Sequence, residues 1–144
     1  MIVHAGLIAL RLRGFWRGVL IEGPSGAGKS DLALRALAEG FQLVADDRVL
    51  LWISGGRLFG RAPDVLRGVL EVRGLDVVAM PVVAMAEVML VARAGAGERI
   101  PDVQSVAVLE LPIPLIELDL RELSAPAKLS RALSLFDGAD KRRI

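Results

Sequence analysis

The sequence predicts an α/β domain with a mixed, strand-rich sheet and few helices, and three observations lead to this prediction. A glycine-rich loop joins a short apolar run to a segment with helical spacing. Glycine-containing turns at residues 14–18 and 55–56 each connect β-compatible runs, which implies antiparallel hairpins. A doubly wound fold needs a helix after nearly every strand, and this chain has too few helical segments. We therefore expect parallel and antiparallel strands in one sheet.

Length and composition narrow the classes of function. The 144 residues suit a single domain over residues 1–144, and the net charge of +1 gives no reason to expect nucleic acid as a partner. The absence of cysteine excludes a disulfide framework and suits the cytoplasm. The most apolar stretch, residues 77–86, is too short to cross a bilayer as a helix and contains Pro81, so we expect buried strands there and no membrane partner.

The glycine-rich loop matches the P-loop pattern G-x-x-x-x-G-K-[ST]. Its residues are Gly23-Pro24-Ser25-Gly26-Ala27-Gly28-Lys29-Ser30. Small residues let several backbone N–H groups approach one phosphate group. Lys29 adds a positive charge for the outer phosphates, and the hydroxyl of Ser30 can bind Mg²⁺. A helix that begins at Lys29 would direct its positive dipole end toward the same anion, so we expect ATP or GTP to bind here.

Around the P-loop the pattern predicts strands and one helix. Residues 2–13 and 19–22 are expected as strands before the loop. The helix after the loop should end at Gly40 in a left-handed conformation. Residues 41–45 form a short apolar run, which we expect to be a buried strand beside the P-loop strand.

The second half of the chain predicts further strands and a closing helix. The expected strands are residues 49–54, 57–61, 69–74, 77–80, 87–93 and 106–111. Pro112 and Pro114 should restrict the segment that follows to a sheet edge or an extended connection. Pro126 suits the first turn of a helix with Leu129, Leu133 and Phe136 on one face.

Asp46 and Asp47 follow the apolar run of residues 41–45, at the end of a strand where such sheets bind their ligands. One carboxylate near the terminal phosphate could accept a hydroxyl proton, and the other could hold Mg²⁺ directly or through water. Two acids in an ordinary surface turn are the alternative. Because a P-loop precedes them by only sixteen residues, we favour the functional interpretation.

Other polar residues leave more than one interpretation open. Glu71 stands between apolar neighbours, so its carboxylate should be paired, exposed at an edge or bound to a metal. His4 is the only histidine, and a histidine in an apolar strand is more often structural than catalytic. Arg61, Arg73 and Arg99 could each bind phosphate or pair with an acid.

Taken together, these positions resemble the HPr kinase/phosphorylase family, in its short α-proteobacterial form that has the C-terminal kinase domain alone. The resemblance covers most of the chain and implies a P-loop kinase domain related to phosphoenolpyruvate carboxykinase, with a mixed sheet. Besides the P-loop, the residues that carry it are His4-Ala5, Leu43-Val44-Ala45-Asp46-Asp47, Gly60-Arg61-Ala62-Pro63, Leu70-Glu71-Val72-Arg73-Gly74-Leu75 and Ser124-Ala125-Pro126-Ala127-Lys128.

The resemblance implies a serine kinase that uses ATP to phosphorylate an HPr-like phosphocarrier protein of a phosphotransferase system. It also implies the reverse reaction, in which inorganic phosphate removes the phosphoryl group. Mg²⁺ is implied as a cofactor, with Ser30 and Glu71 as its ligands. A cytoplasmic homo-oligomer, a hexamer, is implied as the assembly.

The resemblance also implies the roles of the catalytic residues. Asp47 would be the general base in the kinase direction and the acid in the reverse direction, with Asp46 supporting it. The other catalytic positions that the resemblance implies are Lys29, His4 and Arg99.

Two other functions compete with this one. A small-molecule P-loop kinase would need a lid, and the sequence has no long arginine-rich segment for it. A regulatory module that binds ATP without transferring phosphate would need no general base. The presence of Asp46, Asp47 and Glu71 together with the P-loop therefore argues against the regulatory module.

Overall fold

The computed structural model describes residues 1–99, 101–102 and 104–136. Most of its strands belong to one nine-stranded sheet, and a separate two-stranded ribbon is formed by β7 and β8. The elements are β1 Ile2–Val3, β2 Gly6–Leu12, β3 Phe15–Glu22, α1 Lys29–Leu37, β4 Gln42–Ala45, β5 Val49–Ser54, β6 Arg57–Arg61, a 3₁₀ turn Asp64–Leu66, β7 Val69–Val72, β8 Asp76–Ala79, β9 Ala86–Ala94, β10 Gln104–Val108, β11 Leu111–Leu118 and α2 Ala125–Phe136.

The strand order brings the carboxyl ends of several strands to one edge of the sheet. The order is β1-β5-β6-β9-β3-β2-β4, and β11 pairs with β9 and β10. Strand β9 is parallel to β3 and to β11, whereas the other pairs are antiparallel, so the predicted mixed sheet is confirmed. Strand β4 runs in the direction of β3, because both are antiparallel to β2. The carboxyl ends of β3, β4, β9 and β11 therefore lie at the same edge, where β2 begins.

Both faces of the central strands are buried, which explains their nearly continuous apolar sequences. Alternate residues of β2 and β3 enter different clusters: Leu7 and Leu20 belong to one, and Ile8 and Val19 to the other. The second cluster includes the apolar faces of both helices, with Leu32 of α1 and Leu129 of α2 among its members. The P-loop helix is thus held against the sheet by its apolar face.

Helix α1 ends in a Schellman motif around Gly40, as the sequence predicts. The N–H of Phe41 donates to the carbonyl oxygen of Ala36 at 3.2 Å, and the N–H of Gly40 donates to that of Leu37 at 3.4 Å. Gly40 has φ +92°, a conformation in which glycine carries no side-chain penalty. The fully buried ring of Phe41 then leads the chain into β4.

Helix α2 also agrees with the prediction. Pro126 lies in its first turn, where the missing N–H of proline is not needed. Leu129 and Leu133 are fully buried, and Phe136 is partly buried against the same cluster. Among the described residues no helix is long and apolar enough to cross a membrane, and α2, the longer of the two, has 12 residues.

Three predictions for the first half of the chain need correction. The strand at residues 2–13 is interrupted at His4, because β1 pairs with β5 and β2 pairs with β3. The turn expected over residues 14–18 is shorter, since β3 already begins at Phe15. Strand β4 does not lie beside β3. Strand β4 pairs with β2 instead. Because β2 forms a tight hairpin with β3, β2 lies between β3 and β4.

The strand expected at residues 106–111 is wrong, because it spans the turn of a hairpin. Strand β10 ends at Val108 and β11 begins at Leu111. Leu109 and Glu110 form the turn with φ +49° and +68°, and neither is a typical turn residue. The expectation for the segment after the two prolines is wrong, because that segment continues β11, which lies between β9 and β10 in the main sheet. The prolines themselves are tolerated because they lie where β11 pairs with β10 alone, before its pairing with β9 begins at Leu115.

Residues 77–86 were expected to form buried strands, and most of them are exposed or only partly buried. Strand β8 pairs with β7 alone, in the ribbon outside the main sheet. Val77 is therefore 60% exposed, while Leu70 on β7 is fully buried beneath the ribbon. An apolar run cannot distinguish these cases, because its own composition does not reveal whether a second layer covers it.

Candidate active site

A cavity of about 340 Å³ opens at the shared edge of the sheet, between the P-loop and the end of β4. Five parts of the chain that are distant in sequence form its wall: the segment between β1 and β2, the P-loop with the start of α1, the end of β4, the ribbon, and the turn after β11. The residues that line it are His4, Ser25, Gly26, Gly28, Lys29, Ser30, Asp31, Asp46, Asp47, Glu71, Arg73 and Arg121. A volume of this size is typical of a small-molecule site.

The P-loop connects β3 to α1, as predicted, and packs closely on its neighbours. A Cβ atom at Gly23 would lie 2.9 Å from the Cβ of Ala94 and 3.2 Å from that of Ala27, so no side chain fits there. The ammonium group of Lys29 donates to the carbonyl oxygens of Gly23 at 2.7 Å and Pro24 at 2.9 Å. These bonds hold the positive charge of Lys29 at the mouth of the loop.

The amino-terminal end of α1 faces the cavity. Gly28 is the N-cap residue, has φ +103° and provides no side-chain hydrogen bond to the first turn. The N–H groups of that turn therefore remain available to an anion, and the helix dipole adds a partial positive charge. This end of the helix can receive a phosphate group.

Asp46 is 7% exposed and joins the P-loop helix to the ribbon. Its Oδ1 accepts a hydrogen bond of 2.7 Å from the hydroxyl of Ser30. Its Oδ2 accepts a hydrogen bond of 3.0 Å from the backbone N–H of Glu71. Both carboxylate oxygens are thus occupied by internal donors, so Asp46 is a structural anchor at the edge of the cavity.

Asp47 has the opposite environment, although it is the next residue. Its side chain is 55% exposed, and Oδ1 lies 2.7 Å from Nε2 of His4. A longer contact of 3.3 Å joins Oδ2 to Arg48. Asp47 has φ +68°, which is uncommon outside glycine, and the N–H of Ala5 binds its carbonyl oxygen at 3.2 Å. The segment between β1 and β2 therefore holds this carboxylate in a position where a second substrate can reach it.

The oxygen donors at this edge suit Mg²⁺. The Ser30 hydroxyl, the Asp46 carboxylate and the Glu71 side chain all line the cavity, and hard oxygen ligands are the ones this ion prefers. The described residues contain no group of three or more His, Cys, Asp or Glu that could enclose a metal by themselves. Mg²⁺ at nucleotide sites usually takes one or two protein ligands and completes its shell with phosphates and water, so the donor set fits.

The structure distinguishes the three arginines that the sequence left open. Arg73 lines the cavity. Arg61 pairs with Asp64 at 3.1 Å, which is the structural alternative. Arg99 lies exposed on the loop after β9 and is not among the residues that line the cavity. The structure therefore does not bring Arg99 together with the other predicted site residues.

Sequence reasoning missed Arg121. Its guanidinium donates to the carbonyl oxygen of Gly26 and its side chain lies over Gly28. The signal was present, because Asp119 and Arg121 directly follow the apolar strand β11, as Asp46 and Asp47 follow β4. That strand was not recognised, since its two prolines and the misplaced strand before it concealed its length.

Comparisons with known proteins agree with this fold. The family model "HPr Serine kinase C-terminal domain" matches residues 2–89, which include the P-loop, both aspartates and Glu71. A protein named HPr kinase/phosphorylase from Brevibacillus brevis is 39% identical over 95 residues, covering 65% of this chain and 28% of that protein. One of the same name from Lactiplantibacillus plantarum is 32% identical over 150 residues, covering 93% of this chain and 44% of that protein.

A solved structure resembles the whole domain. The HPr(Ser) kinase/phosphatase from Coxiella burnetii superposes with a TM-score of 0.77 at 25% identity, covering 93% of this chain and 94% of that one. The chain spans less than half the length of the curated relatives named above. Because the family model matches more than half of the chain, the family is clear. The chain belongs to the HPr serine kinase C-terminal domain family.

Proposed function

We propose that this chain is a Mg²⁺-dependent kinase that transfers the terminal phosphoryl group of ATP to a serine of an HPr-like phosphocarrier protein in the cytoplasm. The observation that carries the proposal is the pair formed by Asp47 and His4 at 2.7 Å, on the rim of the P-loop cavity. A half-exposed carboxylate there is accessible to a protein substrate. The names of the relatives, HPr kinase/phosphorylase and HPr(Ser) kinase/phosphatase, support the choice of substrate.

Asp47 accepts the proton in the proposed reaction. The serine oxygen attacks the terminal phosphorus, the bond from that phosphorus to the bridging oxygen of ATP breaks, and ADP leaves. The hydroxyl proton passes to the Asp47 carboxylate. Because a carboxylate oxygen can only accept, Nε2 of His4 carries the hydrogen of the 2.7 Å contact and orients the base.

The neighbouring residues hold the phosphates. The ammonium group of Lys29 leaves the carbonyl oxygens of Gly23 and Pro24 and binds oxygens of the outer phosphates of ATP. The N–H groups in the first turn of α1 bind the phosphate that lies next to the helix. Ser30 and Glu71 would hold Mg²⁺, and Asp46 orients both through the bonds described above. When bound, Mg²⁺ neutralises the charge that develops on the phosphate oxygens. Arg99 lies outside the cavity, and we retain it only as a residue that comes to the site when the protein substrate binds.

The proposal includes the reverse reaction. Inorganic phosphate attacks the phosphorus of phosphoserine, so the serine oxygen leaves and pyrophosphate forms. Protonated Asp47 gives its proton to the leaving serine oxygen, the same oxygen from which it takes a proton in the kinase direction. The same cavity serves both directions because the phosphates of pyrophosphate can occupy the sites of the two outer phosphates of ATP.

A homo-oligomer, as a hexamer, is part of the proposal. Support comes from large apolar side chains on and beside the ribbon that this chain leaves exposed, namely Val65, Leu75 and Val77. A contact between copies would cover them. Sedimentation equilibrium at micromolar protein tests this part by itself: a monomeric mass removes the oligomer from the proposal and leaves the chemistry in place.

One experiment tests the proposed activity against its alternatives. The protein is incubated with γ-labelled ATP, Mg²⁺ and an HPr-like phosphocarrier, and the label on the carrier is measured. We expect label on a carrier serine and none on a carrier whose serine is replaced by alanine. ATP binding without transfer to the carrier contradicts the kinase proposal and favours a regulatory module. Transfer to small molecules in a metabolite pool, with none to the carrier, favours a small-molecule kinase.

A further inference from the structure

Arg121 contacts the P-loop, and the roles assigned above do not use it. Its Nη2 donates to the carbonyl oxygen of Gly26, and a Cβ atom at Gly28 would lie only 3.0 Å from its Cγ. Arg121 also lines the cavity together with Lys29. The side chain is exposed, so burial of apolar surface does not explain why it lies across the loop.

The backbone that carries Arg121 is fixed on both sides. Its N–H donates to Oδ1 of Asp119 at 2.9 Å. Arg35 of α1 donates to the carbonyl oxygen of Glu122 at 3.0 Å and also to that of Leu120. The turn after β11 is therefore tied to the helix that begins at the P-loop. Such support is typical of a side chain that must be held in place for a ligand.

Two other arginines near the P-loop form ion pairs with acidic side chains, whereas Arg121 does not pair with any acid among the described residues. Arg35 pairs with Asp31 at 2.8 Å, and Arg93 pairs with Glu22 at 3.1 Å. Within residues 1–99, 101–102 and 104–136, Arg121 forms no ion pair, and its guanidinium contacts a neutral carbonyl oxygen. A guanidinium has five N–H donors in a planar arrangement that suits phosphate. Arg121 is thus a cation without an anionic partner in the part of the chain that the structure describes, and it lies across a loop that binds anions. This indicates that the anion it pairs with is the ligand.

The strand order places Arg121 on the far side of the P-loop from the two aspartates. Strand β11 reaches β3 through β9, whereas β4 reaches β3 through β2 from the other side. Asp47 therefore marks one end of the site and Arg121 the other. If the transferred phosphoryl group lies beside Asp47, the rest of the nucleotide extends toward Arg121.

We propose that Arg121 binds the non-transferred phosphates of the nucleotide, exchanging its contact with Gly26 for phosphate oxygens. The direction of the nucleotide in this inference rests on the proposed function. The contact is one that ADP and ATP share, so it increases affinity for both and does not act on the transfer step. A variant of the protein that lacks the Arg121 side chain should bind the nucleotide more weakly. Once bound, the nucleotide should react at an unchanged rate.

Binding is measured by calorimetry for ATP, ADP and inorganic tripolyphosphate, with the unaltered chain, Arg121→Ala, Arg121→Lys and the control Arg131→Ala. Arg131 is an exposed arginine of α2 outside the cavity. We expect Arg121→Ala to weaken all three ligands by a similar factor, on the order of 10-fold, and Arg121→Lys to recover part of the loss. In the carrier assay, KM for ATP should rise by that factor while kcat stays within about twofold.

Each other outcome overturns the inference. A loss for ATP with no loss for ADP would assign Arg121 to the transferred phosphate. A loss for both nucleotides, with tripolyphosphate unaffected, would assign it to the nucleoside. Unchanged binding, or an equal loss in Arg131→Ala, would leave it a surface residue. The binding assay contains no carrier, so the inference can stand if the proposed carrier reaction fails, and it can fail while that reaction is observed.

Discussion

The hydroxyl of Ser30 donates a 2.7 Å hydrogen bond to Oδ1 of Asp46, and this bond joins the first turn of the P-loop helix to the end of β4. The other oxygen of the same carboxylate holds the backbone of Glu71 on the ribbon. One buried side chain therefore fixes the relative positions of the P-loop and both residues proposed as Mg²⁺ ligands. The predictions below follow from this arrangement and from the geometry around it.

Replacing Asp46 with alanine should destabilise the protein and disturb the metal site together. The backbone N–H of Glu71 would lose its charged partner in a partly buried position, and a hydrogen bond to a charged group contributes about 1.5–3 kcal/mol. Urea unfolding measures the free energy of unfolding, and a Mg²⁺ titration of the rate measures the second effect. Asp64→Ala is the control, because the Asp64 side chain is 90% exposed and its loss should cost less than about 0.5 kcal/mol. Equal stability in the two variants would contradict the anchoring role.

Replacing Lys29 with alanine should reduce transfer by on the order of 10²-fold or more, because one positioned cation is lost from the developing charge. The fold should change little, since within the described part of the chain the ammonium group makes hydrogen bonds only to the carbonyl oxygens of Gly23 and Pro24. Initial rates and thermal unfolding check the two statements separately. A variant that transfers phosphate at the normal rate would mean that the P-loop pattern is only a turn.

Replacing Glu71 with glutamine should shift the Mg²⁺ dependence of turnover to higher concentrations and leave metal-free nucleotide binding nearly unchanged. The backbone N–H that binds Asp46 is retained, so the substitution removes charge without removing the anchor. Rates over a Mg²⁺ series measure the shift. Glu39→Gln is the matched control, because Glu39 is exposed beyond the end of α1. An unmoved titration with lower thermal stability would identify Glu71 as a structural acid.

Replacing Gly23 with alanine should displace the P-loop and weaken nucleotide binding, because the new Cβ would lie 2.9 Å from the Cβ of Ala94. Overpacking of this kind typically costs about 1–3 kcal/mol of stability. Gly6→Ala is the control, since its Cβ would meet its nearest atom at 3.9 Å, an ordinary contact. Calorimetry with ATP and thermal unfolding compare the two variants. If Gly23→Ala binds ATP as tightly as Gly6→Ala, the close packing of the loop is not needed for binding.

Much of the fold could be predicted because local chemistry determines it. The P-loop, α1 with its Gly40 end, the β5–β6 hairpin and the mixed sheet all follow from patterns within a few residues. The position of β4 could not be predicted, because strand order depends on which backbone edges are free in the assembled sheet. The hairpin between β10 and β11 was missed because Leu109 and Glu110 adopt positive φ without the residues that usually signal it.

The residues of the candidate site could likewise be predicted only where a local sequence pattern marks them. Residues inside a motif, or directly after an apolar strand, were found at the cavity as expected, including Lys29, Asp46 and Asp47. The sequence could not assign different tasks to the two aspartates, because the difference lies in their surroundings: Asp46 is enclosed by internal donors and Asp47 faces the cavity with His4. Arg121 was missed because the strand before it, β11, was not recognised, and its contact with Gly26 joins residues 95 positions apart.

The central claim is that Asp47 accepts the serine proton, and Asp47→Asn tests it most directly. Asparagine keeps the size of the side chain and can still contact His4, but it cannot accept a proton at neutral pH. The measurement is the rate of carrier phosphorylation at saturating ATP and Mg²⁺, with the affinity for ATP determined on the same preparation. We predict unchanged ATP binding and a rate lower by on the order of 10²–10⁴-fold. A variant that phosphorylates the carrier at the normal rate would contradict the account.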